Sequence, residues 1–565
     1  MQKPYFNLFD EPWIPCIPLQ GDGMPKLFSL RETLTKAHEL REIYSDSPLT
    51  IAALHRLLLA VLHDVFGPKD IDVWKKLWKG SKWDQNALDA YFQSVYDRFY
   101  LFHEQWPFYQ VAIIPLNAAK DSLPVAALST EIASGNNTSL FDHHFDQTAE
   151  TINLNEATQR LVTYQTFAIG FGISHNAGSQ TMRFTDSPAV RGAMILVKGT
   201  NLFQTFLLNM RAYPSLYSSR LPDNPTLDKP AWKKAPNEIF AGNRKLPDGY
   251  LDFLTWQSRQ VSLIPSETTN GVFVSHVRRI QGREMDKENV RDPLKSYRLD
   301  KQGKLSVRGF SAERALWRDS EALLNIKSAD ARTLPENLQI LTGLVDSNFI
   351  DPTLSLNFQA LGLATAEGKA ASVSLWRSEH LPMPLNYLKA SESISELRKA
   401  LGMAENVART LSLAADWLCW LWVKEKAPDW ASPKRDNISL FDEWNKNRRR
   451  YRKEDADFKG FEAFRRQFPI ERDFWWRLED PFRRYLPGFA SDDDNQVVQA
   501  IEAWKNEIYN AAQIAWRLTA DTLELTPRTL RVQASAEEIF HVQLGRALNP
   551  KNSNEGGTDD DLSND

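Results

Sequence analysis

The chain has 565 residues, 42% hydrophobic and 25% charged, with 68 Lys plus Arg against 72 Asp plus Glu and a formal net charge of −4. That length predicts two to four domains at roughly 100–200 residues each, and the composition excludes collagen-like, wholly disordered and disulfide-scaffold chains. A protein that wraps nucleic acid through bulk charge is basic, so any nucleic-acid contact here must be local or shared with partners. The two cysteines, Cys16 and Cys419, cannot form a four-thiolate zinc site and fit a reducing cytoplasm. The opening MQKPYFNLFDEPW has no basic stretch followed by an apolar run, so it does not read as a signal peptide. The longest apolar runs, Leu57–Leu62 and Trp417–Val423, fall short of the ~20 residues of a membrane helix, so no membrane is expected. Eighteen Trp predict many interior or interfacial anchors, because each brings a large ring and an N–H to satisfy.

In chain order, Asn7–Ile17 reads as a short strand-like opening. Ser47–Phe66 reads as a helix capped by Ser47 or Thr50, with Leu54, Leu57, Leu58 and Leu62 on one face. Lys75–Tyr100 predicts further helices. Residues 115–150 are rich in Asn, Ser, Thr and Asp with weak periodicity, which predicts one long loop, and loops of that length are functional or disordered. Asn155–Phe167 reads as a helix ending in Gly170-Phe171-Gly172, and Ala193–Lys198 and Val272–His276 as strands. Near Ser391 the texture changes. Leu397, Leu401, Ala404, Leu411, Ala415, Leu418 and Trp422 recur at helical spacing, and Phe461–Leu486, Asn495–Leu523 and Ser535–Leu548 follow suit. The fold class expected is therefore α+β: a mixed α/β domain over 1–385, then a C-terminal four-helix bundle over 391–548. The tail 549–565 is acidic and aperiodic, and reads as disordered.

Several clusters invite a chemical reading. His63-Asp64 with Asp142, His143, His144 and Asp146 could form a metal-dependent nuclease or phosphohydrolase. Ligand spacing is inconsistent, however, and a helix-end pair and an ordinary loop explain the same residues. Gly362 to Gly368-Lys369 resembles a phosphate loop but holds five residues between the glycines and Ala370 where Ser or Thr would bind magnesium; a turn presenting Lys369 fits better. Arg278–Arg308 carries ten basic residues against five acidic ones, and Lys446–Lys453 is denser still. Such runs attract phosphates, though a solvated face explains either one alone. No nucleophile–base pair, paired-carboxylate site or complete cofactor loop is present, so the residues alone predict a multidomain, non-enzymatic protein without cofactor or metal. A pure protein-binding scaffold remains open at this point.

Six strings occur in a telling order: Phe6-Asn-Leu-Phe-Asp-Glu-Pro-Trp-Ile-Pro15, Leu140-Phe-Asp-His143, Leu254-Thr-Trp-Gln-Ser-Arg259, Arg291-Asp-Pro-Leu-Lys-Ser-Tyr297, Ala315-Leu-Trp-Arg-Asp319 and Leu381-Pro-Met-Pro-Leu385. Together they resemble the CasA family, the large subunits of type I-E CRISPR surveillance complexes (Cascade), from residue 1 to about 548. The resemblance implies a non-catalytic subunit beside the 5′ handle of the CRISPR RNA. Such a subunit recognises a protospacer-adjacent motif in duplex DNA, promotes R-loop formation and receives a separate helicase-nuclease. It places the family's glycine loop at Gly170 and Gly172, an RNA-handle contact at Phe141, Asp142 and His143, and a basic residue at Arg283 or Lys287. It places the wedge hairpin at Gly368, Lys369 and Ala370, where the family's glutamine is missing. Arg448, Arg449 and Arg450, expected between the first two bundle helices, are candidates for a DNA or subunit contact. Guide pairing supplies most of the sequence discrimination, so such a protein reads only a short duplex element.

Overall fold

Ser47 accepts the backbone N–H of Thr50 and Pro48 stands at the first helical position, so a helix runs Pro48–Phe66 and carries the core of the first half of the chain. The computed structural model describes residues 4–112, 114, 122–129, 151–170, 173–175, 181–212, 221–222, 226–240, 244–269, 271–310, 314–321, 330–351, 354, 356–365, 373–389, 391–424, 440–454 and 458–549. Two compact units emerge, residues 1–389 and 390–565. Every residue from Leu49 to His63 is buried. The one-faced helix expected from sequence is thus buried all round, because other elements enclose it, its Thr50, His55, Arg56 and His63 included. The expectation that no segment is long and apolar enough to cross a membrane is also corrected, since this helix is, by length and composition; here it is a core helix. It packs against the helices Leu154–Phe167 and Tyr250–Leu254 and the strands Leu356–Thr365 and Val373–Met383. Thr50 and Thr163 share a hydrogen bond at 3.0 Å. Arg56 pairs with Asp292 at 2.7 Å, both fully buried.

The first unit is mixed. Leu356–Thr365 lies between Val373–Met383 and Met194–Lys198, all antiparallel. Arg259–Thr268 pairs with Gly271–Gln281, whose other edge takes Leu123–Pro124. Ile14–Pro18 lies between Lys26–Phe28 and Leu40–Ile43. The strand-like opening is two strands, because Tyr5–Asn7 leaves to pair with Tyr100–Phe102. The supposed long loop is also interrupted. Leu123–Pro124 is a strand and Val125–Leu128 a buried turn of 3-10 helix, since an apolar Val-Ala-Ala-Leu run is more stable inside than out. Gly362 pairs with Arg377 in mid-strand, so the phosphate-loop lookalike begins as sheet.

The second unit is helical: Ser391–Lys424, Leu440–Glu454, Phe458–Arg465, Ile470–Tyr485, Asp494–Asp521 and Pro527–Leu548 among the described residues. The longest of these, Ser391–Lys424, packs on the last four helices and on Leu440–Glu454. The α+β class thus holds. Three details differ from expectation. The segment 461–486 is two helices parted near Pro469, which disfavours helical backbone at Phe468. The last helix starts earlier than Ser535, where Thr526 caps it and Pro527 takes the first position. The Arg448–Lys453 run lies on a helix of its own, not between helices. The Trp expectation is met in both units: Trp13, Trp74, Trp444 and Trp504 are buried, with N–H groups given to Leu8 O, Leu207 O, Asp416 and Ala400 O.

Candidate nucleic-acid interface

The helix Leu154–Phe167 ends at Ala168 and the chain reaches Gly170 two residues on. Gly170 donates its N–H to Asp186 Oδ1 at 2.8 Å. A β-carbon there would lie 2.7 Å from the Phe184 carbonyl oxygen and 2.8 Å from the Asp186 nitrogen. Close approach of two backbones therefore demands glycine at 170. Beyond it, Ile173–His175 pairs with Thr181–Arg183 as a short antiparallel hairpin. Gly172 lies outside the described residues.

A buried arginine fixes the root of this hairpin. Arg259 donates to Ile169 O at 2.9 Å, Thr185 O at 2.8 Å and Ser258 O at 2.9 Å, under the Phe184 ring. Gln281 brackets Thr185, accepting its N–H and donating to its hydroxyl, both at 3.0 Å. Ser187 N–H closes on Ala168 O at 2.8 Å. Buried carbonyls are thus satisfied by a cation that cannot leave, which makes the root rigid.

Lys287 reaches the same place from a distant stretch of chain. Its Nζ stands 3.3 Å from Asp186 Oδ2, and Arg191 Nε stands 3.2 Å from that oxygen. Burial pushes the Asp186 carboxyl up, but Lys287, the Gly170 N–H and Arg191 together hold it below the usual carboxylate range. Burial lowers the Lys287 ammonium against the pull of Asp186. Lys295, fully buried nearby, binds Pro188 O at 3.1 Å, and burial brings its pKa down to about 8. The arrangement packs one glycine against the 184–186 backbone and sets a part-exposed cation beside it, on the same carboxylate.

The other predicted residues fall in different places. Arg283 is buried, stacked 3.5 Å from the Trp256 ring centre, with two bonds to Asp252 at 2.8 and 3.1 Å. It clamps the fold, so of the pair expected to supply the surface cation only Lys287 is placed for it. Phe141, Asp142, His143, Gly368, Lys369 and Ala370 lie outside the described residues. The strands flanking the last three pair antiparallel up to Thr365 and Val373. His63 and Asp64 serve separate partners. His63 Nε2 accepts the Arg211 N–H at 2.9 Å, and burial, then Arg211, takes its pKa down to about 3. Asp64 accepts from Tyr91 at 2.6 Å and faces Lys233 at 2.7 Å. Among the described residues no three His, Cys, Asp or Glu side chains are grouped to hold a metal; His144 and Asp146 lie outside them.

Asp186 and Arg191 carry no mark in the sequence that singles them out, and Arg259 stands out only as the end of the Leu254–Arg259 string, with no role attached. Asp186-Ser187-Pro188 carries a turn signal, but nothing in it announces a partner sixteen residues earlier.

The sequence profile of the CRISPR-associated protein Cse1 family matches residues 7–515. The chain belongs to the Cse1 family. A Thermus thermophilus CasA/Cse1 protein is 31% identical over 552 residues, spanning 96% of this chain and 97% of the relative. The crystal structure of Thermus thermophilus CasA superposes with a TM-score of 0.74 at 28% identity, covering 96% of this chain and 99% of the other. A chain of a CRISPR RNA-guided surveillance complex shares the fold, with a TM-score of 0.71 at 20% identity over 95% of this chain and all of the other.

In this Cse1 chain the basic helix Leu440–Glu454 divides its charges. Arg448 turns in to Asp416 at 3.0 Å, where Trp444 and Arg465 also bind. Arg450 is exposed beside the Tyr451 ring, and Lys446 is exposed as well. Arg449 lies on the same helix, its side chain outside the described residues.

Proposed function

We propose that this Cse1 chain is the non-catalytic large subunit of a type I-E CRISPR RNA-guided surveillance complex, acting in the cytoplasm. It reads the motif beside the protospacer in duplex DNA through the backbone beyond Gly170 and the Lys287 ammonium. The hairpin formed by Leu356–Thr365 and Val373–Met383 carries the wedge segment 366–371 and promotes the R-loop. The segment 141–143 meets the RNA 5′ handle or a neighbouring subunit, and a separate helicase-nuclease docks to cut. The kinship with CasA/Cse1 proteins supports the assembly. The observation that carries the motif-reading role is the meeting of Gly170 and Lys287 on one carboxylate, Asp186.

The test is binding of the reconstituted RNA-bearing complex to duplexes with a valid or a scrambled flanking motif. Gly170→Ala should cost valid DNA about tenfold in affinity, ~1.4 kcal/mol, by forcing the loop root apart. Scrambled DNA should bind the variant and the parent alike, and the complex should cut nothing with magnesium or manganese until the helicase-nuclease is added. Equal capture of valid and scrambled duplex by the parent protein would refute the reading, as would cleavage by this chain alone.

A further inference from the structure

Gly170, Arg191 and Lys287 come from three stretches of chain and converge on Asp186. Its two oxygens divide the contacts. Oδ1 takes the Gly170 N–H at 2.8 Å, and Oδ2 faces Lys287 at 3.3 Å and Arg191 at 3.2 Å. The segment that bears it cannot drift, because Arg259 holds Thr185, Ser187 holds Ala168, Ala189 holds Thr166 and Lys295 holds Pro188. The short Asp stem then fixes both oxygens relative to that frame. Arg191 is the exposed member, with 70% of its side chain open, whereas Lys287 is about half as open at 35%.

Resting on the reading of this site as a DNA interface, we propose that Asp186 is its positioning residue. It sets the Gly170 backbone and the Lys287 ammonium in one register, so that backbone and cation read the same base step together. Arg191 keeps the carboxylate compensated when Lys287 turns toward a DNA acceptor, which avoids leaving a part-buried charge without a partner.

Positioning and simple electrostatics predict opposite signs. A carboxylate close to DNA repels phosphate, so a neutral replacement should by charge alone tighten binding to every duplex equally. Asp186→Asn keeps an oxygen for Gly170 but drops the charge that holds Lys287. The assembled complex carrying Asp186→Asn, Lys287→Met or both is titrated with valid-motif and scrambled duplexes. Each single variant should lower the valid-to-scrambled affinity ratio about fivefold, and the double variant should lower it hardly further, because the two residues act as one unit. A ratio unchanged by Asp186→Asn, with both duplexes bound more tightly, overturns the proposal, as do single effects that multiply in the double variant. Should Asp186→Asn fail to assemble, Lys287→Glu replaces it. Two carboxylates forced together should displace the Gly170 backbone and cut the ratio at least about threefold below Lys287→Met; equal ratios overturn the proposal. Absence of any effect in both Lys287→Met and Gly170→Ala brings down the DNA-interface reading and the proposal with it. Effects there, with none at Asp186→Asn, sink the positioning role alone.

Discussion

Arg283 and Lys287 stand four residues apart in sequence and carry the same charge, and burial assigns them different surroundings. The Arg283 side chain is 6% exposed, forked onto Asp252 and stacked on Trp256. Lys234 Nζ also binds Asp252, at 2.8 Å. Arg283→Ala would leave Asp252 buried with one cation instead of two. Breaking a buried pair costs about 3–5 kcal/mol, so denaturant unfolding should show a loss of that order. Lys287→Met removes a part-exposed pair and should cost under about 1 kcal/mol. The motif ratio should respond in the reverse order, falling for Lys287→Met and staying level for Arg283→Ala in whatever protein remains folded. Sequence alone could not separate these two residues. Both lie in a run of ten basic and five acidic residues, and which one is covered depends on Trp256 and Asp252, far along the chain.

At the scale of elements, the Pro48–Phe66 helix carries two imidazoles into the core. Burial takes both His55 and His63 down to a pKa of about 3. The unfolded chain titrates near 6.5. Below that pH the unfolded state binds protons that the folded state refuses. Stability is therefore whole above pH 6.5 and lost as pH falls toward 3, by up to about 1.4 kcal/mol per pH unit for each histidine. Urea unfolding between pH 7.5 and 5 should show that decline, and His63→Gln, which keeps an acceptor for the Arg211 N–H, should make it shallower. An unchanged slope would assign the decline to other groups. The existence of this helix was legible, because Ser47, Pro48 and the Leu spacing are local signals. Its burial on every side was not, because that needs the helix Leu154–Phe167 and the strands near 360 and 378 to close around it. The same division runs through the site. Gly170 was legible as a glycine after a helix. Its partner Asp186 was not, because a hydrogen bond between two backbone turns leaves no periodic trace. Residues 122–129 show the converse error, a polar background hiding one apolar turn that folds in.

At the scale of the whole molecule, a net charge of −4 means that any DNA contact must rest on few cations placed locally. The helix Leu440–Glu454 is the densest such place: Arg448 turns in to Asp416, Arg452 is exposed but paired with Glu462, and Lys446 and Arg450 are exposed as well. A helix face of this kind contacts phosphates and carries no base readout. Lys446→Ala with Arg450→Ala in the assembled complex should therefore weaken valid and scrambled duplexes by the same factor. The slope of log affinity against log salt should flatten by about 0.9 for each phosphate no longer neutralised, so by about 1–2 for the pair. The motif ratio should hold constant throughout, in contrast to the variants at Gly170, Asp186 and Lys287. A change in the ratio would make this helix part of the reading site, and an unchanged salt slope would free it of any DNA contact and assign its charge to a neighbouring protein. Binding titrations at four or five salt concentrations thus separate a cation whose loss weakens every duplex alike from a group whose loss erases the preference for the motif.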